Sequence, residues 1–110
     1  MAKPLLPTLK EKKRYIAFQV LAERNVSFEE SKKAIVQSAE TLFGHVGVAK
    51  MGLSVLRPRY EANKGILRVA HTHQHQARMA LCFIDHVGRE ACSMRSLVSS
   101  GILKKAAQAL

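Results

Sequence analysis

The chain has 110 residues, 18 Lys+Arg against 8 Asp+Glu, a formal net charge of +10 with its five histidines neutral, and 47% hydrophobic residues. That length supports one hydrophobic core and not two, while an ordinary apolar content in short runs excludes wholesale disorder and a membrane span of about 20 apolar residues. The opening Met1-Ala2-Lys3-Pro4-Leu5-Leu6-Pro7 lacks the apolar stretch of a signal peptide, and Cys82 and Cys92 form neither a disulfide framework nor a CxxC pair, so a reducing, cytoplasmic setting is expected.

Residues 1–14, with five basic residues against Glu11, read as a basic arm. Arg14 to Leu21 then alternates, Ile16, Phe18 and Val20 on one side and Tyr15, Ala17 and Gln19 on the other, which predicts a strand. Ser27-Phe28-Glu29-Glu30 is a capping box: the hydroxyl and the carboxylate three residues on satisfy each other's orphan amides. It opens a helix from Ser27 to about Phe43, with Phe28, Ile35, Ala39 and Leu42 on one stripe and Gly44 as terminator. Ala49 to Leu56 alternates again, Met51, Leu53 and Val55 inward, and stops at Arg57-Pro58. A loop of about nine residues, in which Asn63 and Gly65 tolerate positive φ, leads to a third strand over Ile66 to His71. Ala77, Ala80, Leu81, Ile84 and Val87 recur at helical spacing and predict a second helix from about His73 to Val87, closed by Gly88. Glu90 to Val98 is the fourth strand, with Cys92, Met94 and Val98 on one face and Ser93, Arg95 and Leu97 on the other. Ser99-Ser100-Gly101 breaks it, and the Ala-rich tail from Ile102 forms a short helix.

This β-α-β-β-α-β order is the α+β, ferredoxin-like or RRM-like plan: a four-stranded antiparallel sheet with two helices on one face. The expected division is a basic arm over 1–14, an RRM-like domain over 15–98 and a helical tail over 99–110. The sheet face away from the helices collects Tyr15, Gln19, Lys50, Ser54, Arg68, Ser93 and Arg95, and Leu56, Ile66 and Leu97 would accept an apolar cover there.

The excess charge lies in three places. Basic residues outnumber acidic ones five to one over 1–14, five to one over 50–68 and three to none over 95–110, while the stretches between are near neutral. A localised positive surface speaks to partners, and Lys and Arg gain most by releasing counterions from nucleic-acid phosphates. The candidate phosphate contacts are Lys10, Lys12, Lys13 and Arg14 in the arm, Arg57 and Arg59 in the hairpin loop, Arg68 on the third strand, and Lys104 and Lys105 in the tail. The third strand, Gly65-Ile66-Leu67-Arg68-Val69-Ala70-His71, has no aromatic residue, so base stacking on the sheet is not expected.

Two further patterns bear on chemistry. His71-Thr72-His73-Gln74-His75 would align three imidazoles if extended, but it straddles a strand-to-helix junction where they diverge, and Thr72 is placed to cap the helix. A two-metal nuclease needs clustered carboxylates, whereas this chain has one aspartate, Asp85, and scattered glutamates. Neither a catalytic nor a metal site is expected in this chain, and the two cysteines read as small core residues.

Three segments carry a family resemblance: the opening Leu6-Pro7-Thr8-Leu9-Lys10-Glu11-Lys12-Lys13-Arg14-Tyr15-Ile16-Ala17-Phe18, the strand Gly65-Ile66-Leu67-Arg68-Val69 and the tail Ser100-Gly101-Ile102-Leu103-Lys104-Lys105-Ala106. In this order and spacing the chain resembles archaeal ribonuclease P protein component 2 over nearly its whole length. The resemblance implies a subunit of the ribonucleoprotein that removes 5′ leaders from precursor tRNA, in which the RNA holds the active site and its Mg²⁺. It also implies an RRM-like fold without the stacking motif, a protein partner called component 3, and a heterotetramer built from such pairs. The alternatives on the residues alone are a small His-dependent metal-binding or nuclease protein, or an RNA-binding domain of another ribonucleoprotein.

Overall fold

The computed structural model describes residues 12–110. Its elements are β1 (Lys13–Leu21), α1 (Phe28–Met51), β2 (Ser54–Val55), β3 (Lys64–Ala70), α2 (Gln74–Cys82), β4 (His86–Val87), β5 (Glu90–Ala91), β6 (Ser93–Ser100) and α3 (Leu103–Ala107), with single 3₁₀ turns at Arg57–Arg59 and His71–His73. Four strands form one sheet in the order β2-β3-β1-β6, every neighbouring pair antiparallel, and β4 and β5 make a separate hairpin. This is the ferredoxin-like arrangement, with β6 as the fourth strand of the main sheet. The described residues run from the last positions of the expected basic arm through the expected tail, and residues 1–11, including Lys10, lie outside them. Among the described residues no helix is long and apolar enough to cross a membrane.

Alternation in β1 builds the core. Ile16, Phe18 and Val20 are buried against α1 and α2 together with Ile35, Met51, Leu67, Val69, Leu81 and Met94. The capping box forms: Ser27 Oγ accepts from the Glu30 amide at 3.2 Å, and Glu30 accepts from the Ser27 amide at 3.3 Å. Two aromatic contacts close the sheet's far end, Phe18 and Phe28 both packing on Tyr60. The Tyr60 hydroxyl donates to the Val26 carbonyl at 2.6 Å and meets the buried Ser31 hydroxyl at 2.7 Å.

Several expected boundaries move. Gly44 does not end α1: it takes φ 73°, ψ 172°, a conformation open to glycine, and the helix resumes beyond this kink. Gly52, left-handed at φ 61°, is the actual C-cap, with its amide bonded to the Ala49 carbonyl. The expected strand over Ala49–Leu56 therefore shrinks to Ser54–Val55, and Lys50 sits on the last turn of α1 rather than on the sheet. Gly65 is extended inside β3; positive φ falls on Ala62 and Asn63, the two central residues of a tight turn closed by Glu61 and Lys64. The second helix stops at Cys82, and Ile84 and Val87, though buried as expected, belong to a turn and to β4. Thr72 makes no cap, because the 3₁₀ turn leaves His73 at the N-cap with no side-chain bond.

The fourth strand starts and ends later than expected and carries a bulge opposite Ala17/Phe18. The extra residue reverses the faces beyond it, so Val98 pairs with Ala17 on the outer face while Ser99 turns to the helices and donates to Gln74 at 3.0 Å. The outer face has a cover. α3 packs against both β1 and β6 while α2 holds the other side of β6, so α3 lies across the outer face, and Ala106 on it is fully buried, as are Ala17 and Ile66 on that face.

Candidate nucleic-acid interface

The antiparallel register decides which charges meet. Lys13 is opposite Ala70, so the start of β1 adjoins the end of β3 and, through Ser100 opposite Tyr15, the end of β6. The Lys12 carbonyl accepts from the His71 amide at 2.9 Å, and the His71 ring Nδ1 lies 3.2 Å from the same oxygen. Lys13 Nζ reaches the C-cap of α1, 3.2 Å from where a Cβ on Gly52 would stand. The Arg14 guanidinium lies beside Gly101, 3.7 Å from its Cβ position. One end of the sheet thus gathers Lys12, Lys13 and Arg14, with Lys50 two residues before Gly52. Lys104 and Lys105, both exposed, follow on α3 just past the end of β6.

Arg68 stands one step inward on the outer face, between Tyr15 on β1 and Ser54 on β2. Its Nε is buried with no hydrogen-bond partner among the described residues. Farther along this face Arg95 donates twice to Gln19 Oε1, at 2.9 and 3.2 Å, which occupies that guanidinium.

Arg57 and Arg59 are elsewhere. They form the 3₁₀ turn after β2, at the opposite end of the sheet. Arg57 is paired with Glu29 and lies over the Phe28 ring, 4.7 Å from its centre, so its charge is already engaged. The carboxylates collect at this same end: Glu23 follows β1, Glu29 and Glu30 open α1, Glu61 closes the β2–β3 turn and Glu90 precedes β6. Arg24 binds Glu30 at 2.6 Å and Glu90 at 2.7 Å. Its hydrogen bonds hold the Glu30 carboxyl down to about 2, helped by the Ser27 amide. Among the described residues no carboxylate lies at the end where β1 begins, so the sheet is electrically polarised.

Of the nine cations expected to bind phosphate, the structure brings together Lys12, Lys13 and Arg14, with Arg68 behind them and Lys104 and Lys105 alongside. It separates Arg57 and Arg59 from the rest, and Lys10 lies outside the described residues. Lys50 joins the cluster through α1, and Gly52 as a left-handed cap is the sequence signal for that position. An end rich in ammonium and guanidinium groups suits phosphodiesters. The described residues include no group of three or more His, Cys, Asp or Glu that could hold a metal ion. Burial raises the Cys92 thiol above its ordinary range, with the Asp85 charge adding to it, which makes this cysteine a packing residue and not a nucleophile.

The sequence and the fold are similar to those of known proteins. Residues 14–110 match the model of the Rpp14/Pop5 family. The chain is 34% identical over 106 residues to "Ribonuclease P protein component 2" of Methanosarcina acetivorans, covering 96% of this chain and 79% of that one. It is 37% identical over 103 residues to the protein of the same name from Thermococcus gammatolerans, covering 94% and 86%. Its fold superposes on a chain of the yeast ribonuclease MRP cryo-EM structure with a TM-score of 0.67 at 11% identity, over 84% of this chain and 76% of that one. The chain belongs to the Rpp14/Pop5 family, together with the archaeal ribonuclease P protein component 2 sequences.

Proposed function

We propose that the chain is a protein subunit of ribonuclease P, binding the catalytic RNA of the cytoplasmic particle that cleaves the 5′ leader from precursor tRNA. In this reading the RNA carries the active site and its Mg²⁺, and this chain supplies no catalytic group. Its work is electrostatic: Lys12, Lys13 and Arg14 neutralise phosphates of the folded RNA, with Arg68, Lys104, Lys105 and Lys50 extending the contact and Lys10 preceding it in sequence. A protein partner, component 3, pairs with it, and two such pairs form a heterotetramer. The observation that carries the reading is the charge segregation along the sheet, cations at the start of β1 and carboxylates at its end.

The test is binding to ribonuclease P RNA across a salt series. A Lys12→Ala/Lys13→Ala/Arg14→Ala variant should flatten the slope of log K against log salt by about 0.7–0.9 for each phosphate it no longer neutralises. It should also stimulate precursor-tRNA cleavage less than the parent when reconstituted with RNA and component 3 at limiting Mg²⁺. Unchanged affinity and slope would remove the assignment of this end to RNA, and no stimulation by the parent chain would remove the ribonuclease P reading.

A further inference from the structure

A concavity lies away from the cationic end. It is a groove of about 670 Å³ on the helix layer, between α1 and the segment 83–88 that leads into the β4–β5 hairpin. Ala34, Leu42, Ile84 and Val87 give it apolar walls. Phe83 stands at its lip, 63% exposed, and Met79, one helical turn earlier, is 47% exposed. The Phe83 amide still donates to the Met79 carbonyl at 3.1 Å, so the two side chains share one stripe of α2. An exposed apolar strip with a polar rim marks a docking surface.

The charge of the groove runs against that of the molecule. Three carboxylates, Glu30, Glu40 and Asp85, line it against one ammonium, Lys33, on a chain whose net charge is +10. Glu30 is taken up by Arg24, which leaves Glu40 and Asp85 to face a ligand. Their only ion-pair partners among the described residues are histidines, His45 at 3.4 Å and His86 at 2.6 Å. Phosphodiesters are repelled from such a surface; a basic polypeptide is attracted. The groove lies on the helix layer and the cationic cluster at the strand ends, so the two can be occupied together.

We propose that this groove docks a protein subunit of the same particle. The partner is a basic segment carrying an apolar side chain, which seats against Phe83 and Ile84 while flanking Lys or Arg groups meet Glu40 and Asp85. The proposal rests on the ribonuclease P reading, in which component 3 is the protein partner. It is tested by calorimetric titration of the full chain with component 3, alongside RNA binding by the same proteins. Phe83→Asp should weaken component 3 binding by about 30-fold or more, as loss of an aromatic that the partner buries does, and leave RNA affinity as in the parent. Glu40→Lys/Asp85→Lys, at solvent-facing positions, should weaken it by about 10-fold, the effect shrinking at high salt. This second variant keeps the test valid if the first fails to fold. Parent-like binding of component 3 by both variants overturns the groove assignment and leaves the ribonuclease P reading standing. So does a Phe83→Asp variant that loses RNA instead. A parent chain that binds no component 3 overturns the pairing itself, and the groove proposal with it.

Discussion

Arg24 shows how a single side chain ties distant parts of the chain together. Its guanidinium joins Glu30 in the first turn of α1 to Glu90 at the start of β5, 66 residues away in sequence. The near half of this cluster is legible in the sequence, because Ser27 and Glu30 stand at capping-box spacing. The far half is not, since nothing local to Glu90 says which cation the fold brings to it. The cluster has a consequence for acid stability. Arg24, and after it the Ser27 amide, lowers the Glu30 carboxyl from 4.5 to about 2. A carboxyl whose folded value lies below its unfolded one stabilises the fold fully above pH 4.5, and that contribution is lost as the pH falls to about 2. Glu30→Gln should therefore be less stable than the parent at neutral pH and converge with it in acid. Urea midpoints measured from pH 7 to pH 2 check this, and a constant gap between the two proteins would show that the pairing does not drive the shift.

At the level of elements, hydrophobic periodicity identifies nearly every core residue and misplaces several of the elements that carry them. Met51 and Val87 are both buried as expected, Met51 from a helix instead of a strand and Val87 from a strand instead of a helix. The reason is physical: burial constrains which side chains point inward, while the path between them is set by backbone geometry at a few glycines. Gly44 illustrates it. A glycine after Phe43 has the marks of a helix terminator, yet here it turns the chain and lets a second helical stretch run on to a left-handed cap at Gly52. The bulge beside Leu97 is likewise silent in sequence, and it changes which face Val98 and Ser99 occupy. Because a Cβ on Gly44 would meet nothing within 4 Å, any cost of filling the position is conformational. Gly44→Ala should thus destabilise the fold by about 1–3 kcal/mol, seen as a lower denaturant midpoint at unchanged m. A midpoint equal to the parent's would mean that the kink is not held by glycine's conformational freedom.

For the whole molecule, the sum of charges and their order are legible in the sequence, but their polarity emerges only from the antiparallel register. Arg57 and Arg59 lie in a segment with the same five-to-one excess of basic residues as the arm, and read linearly they are equivalent to Lys12 and Lys13 as phosphate ligands. Folding puts them at the end where Glu23, Glu29, Glu30, Glu61 and Glu90 collect, and sets Arg57 in a pair with Glu29 over the Phe28 ring. A phosphate approaching there meets a neutralised guanidinium and a row of carboxylates. At the other end it meets a cluster with no carboxylate among the described residues. The two readings separate in one comparison. Arg57→Ala/Arg59→Ala and Lys12→Ala/Lys13→Ala each remove the same formal charge, so if net charge governed RNA affinity the two variants would weaken it equally. Polarity predicts that only the lysine pair flattens the salt slope, by about 0.7–0.9 per phosphate. The arginine pair should bind RNA like the parent and instead lose about 0.5–1 kcal/mol of stability with the exposed ion pair and the ring stacking. Equal weakening of RNA binding in both variants would assign the hairpin turn to the RNA interface, and the cationic end of the sheet would cease to be its sole anchor.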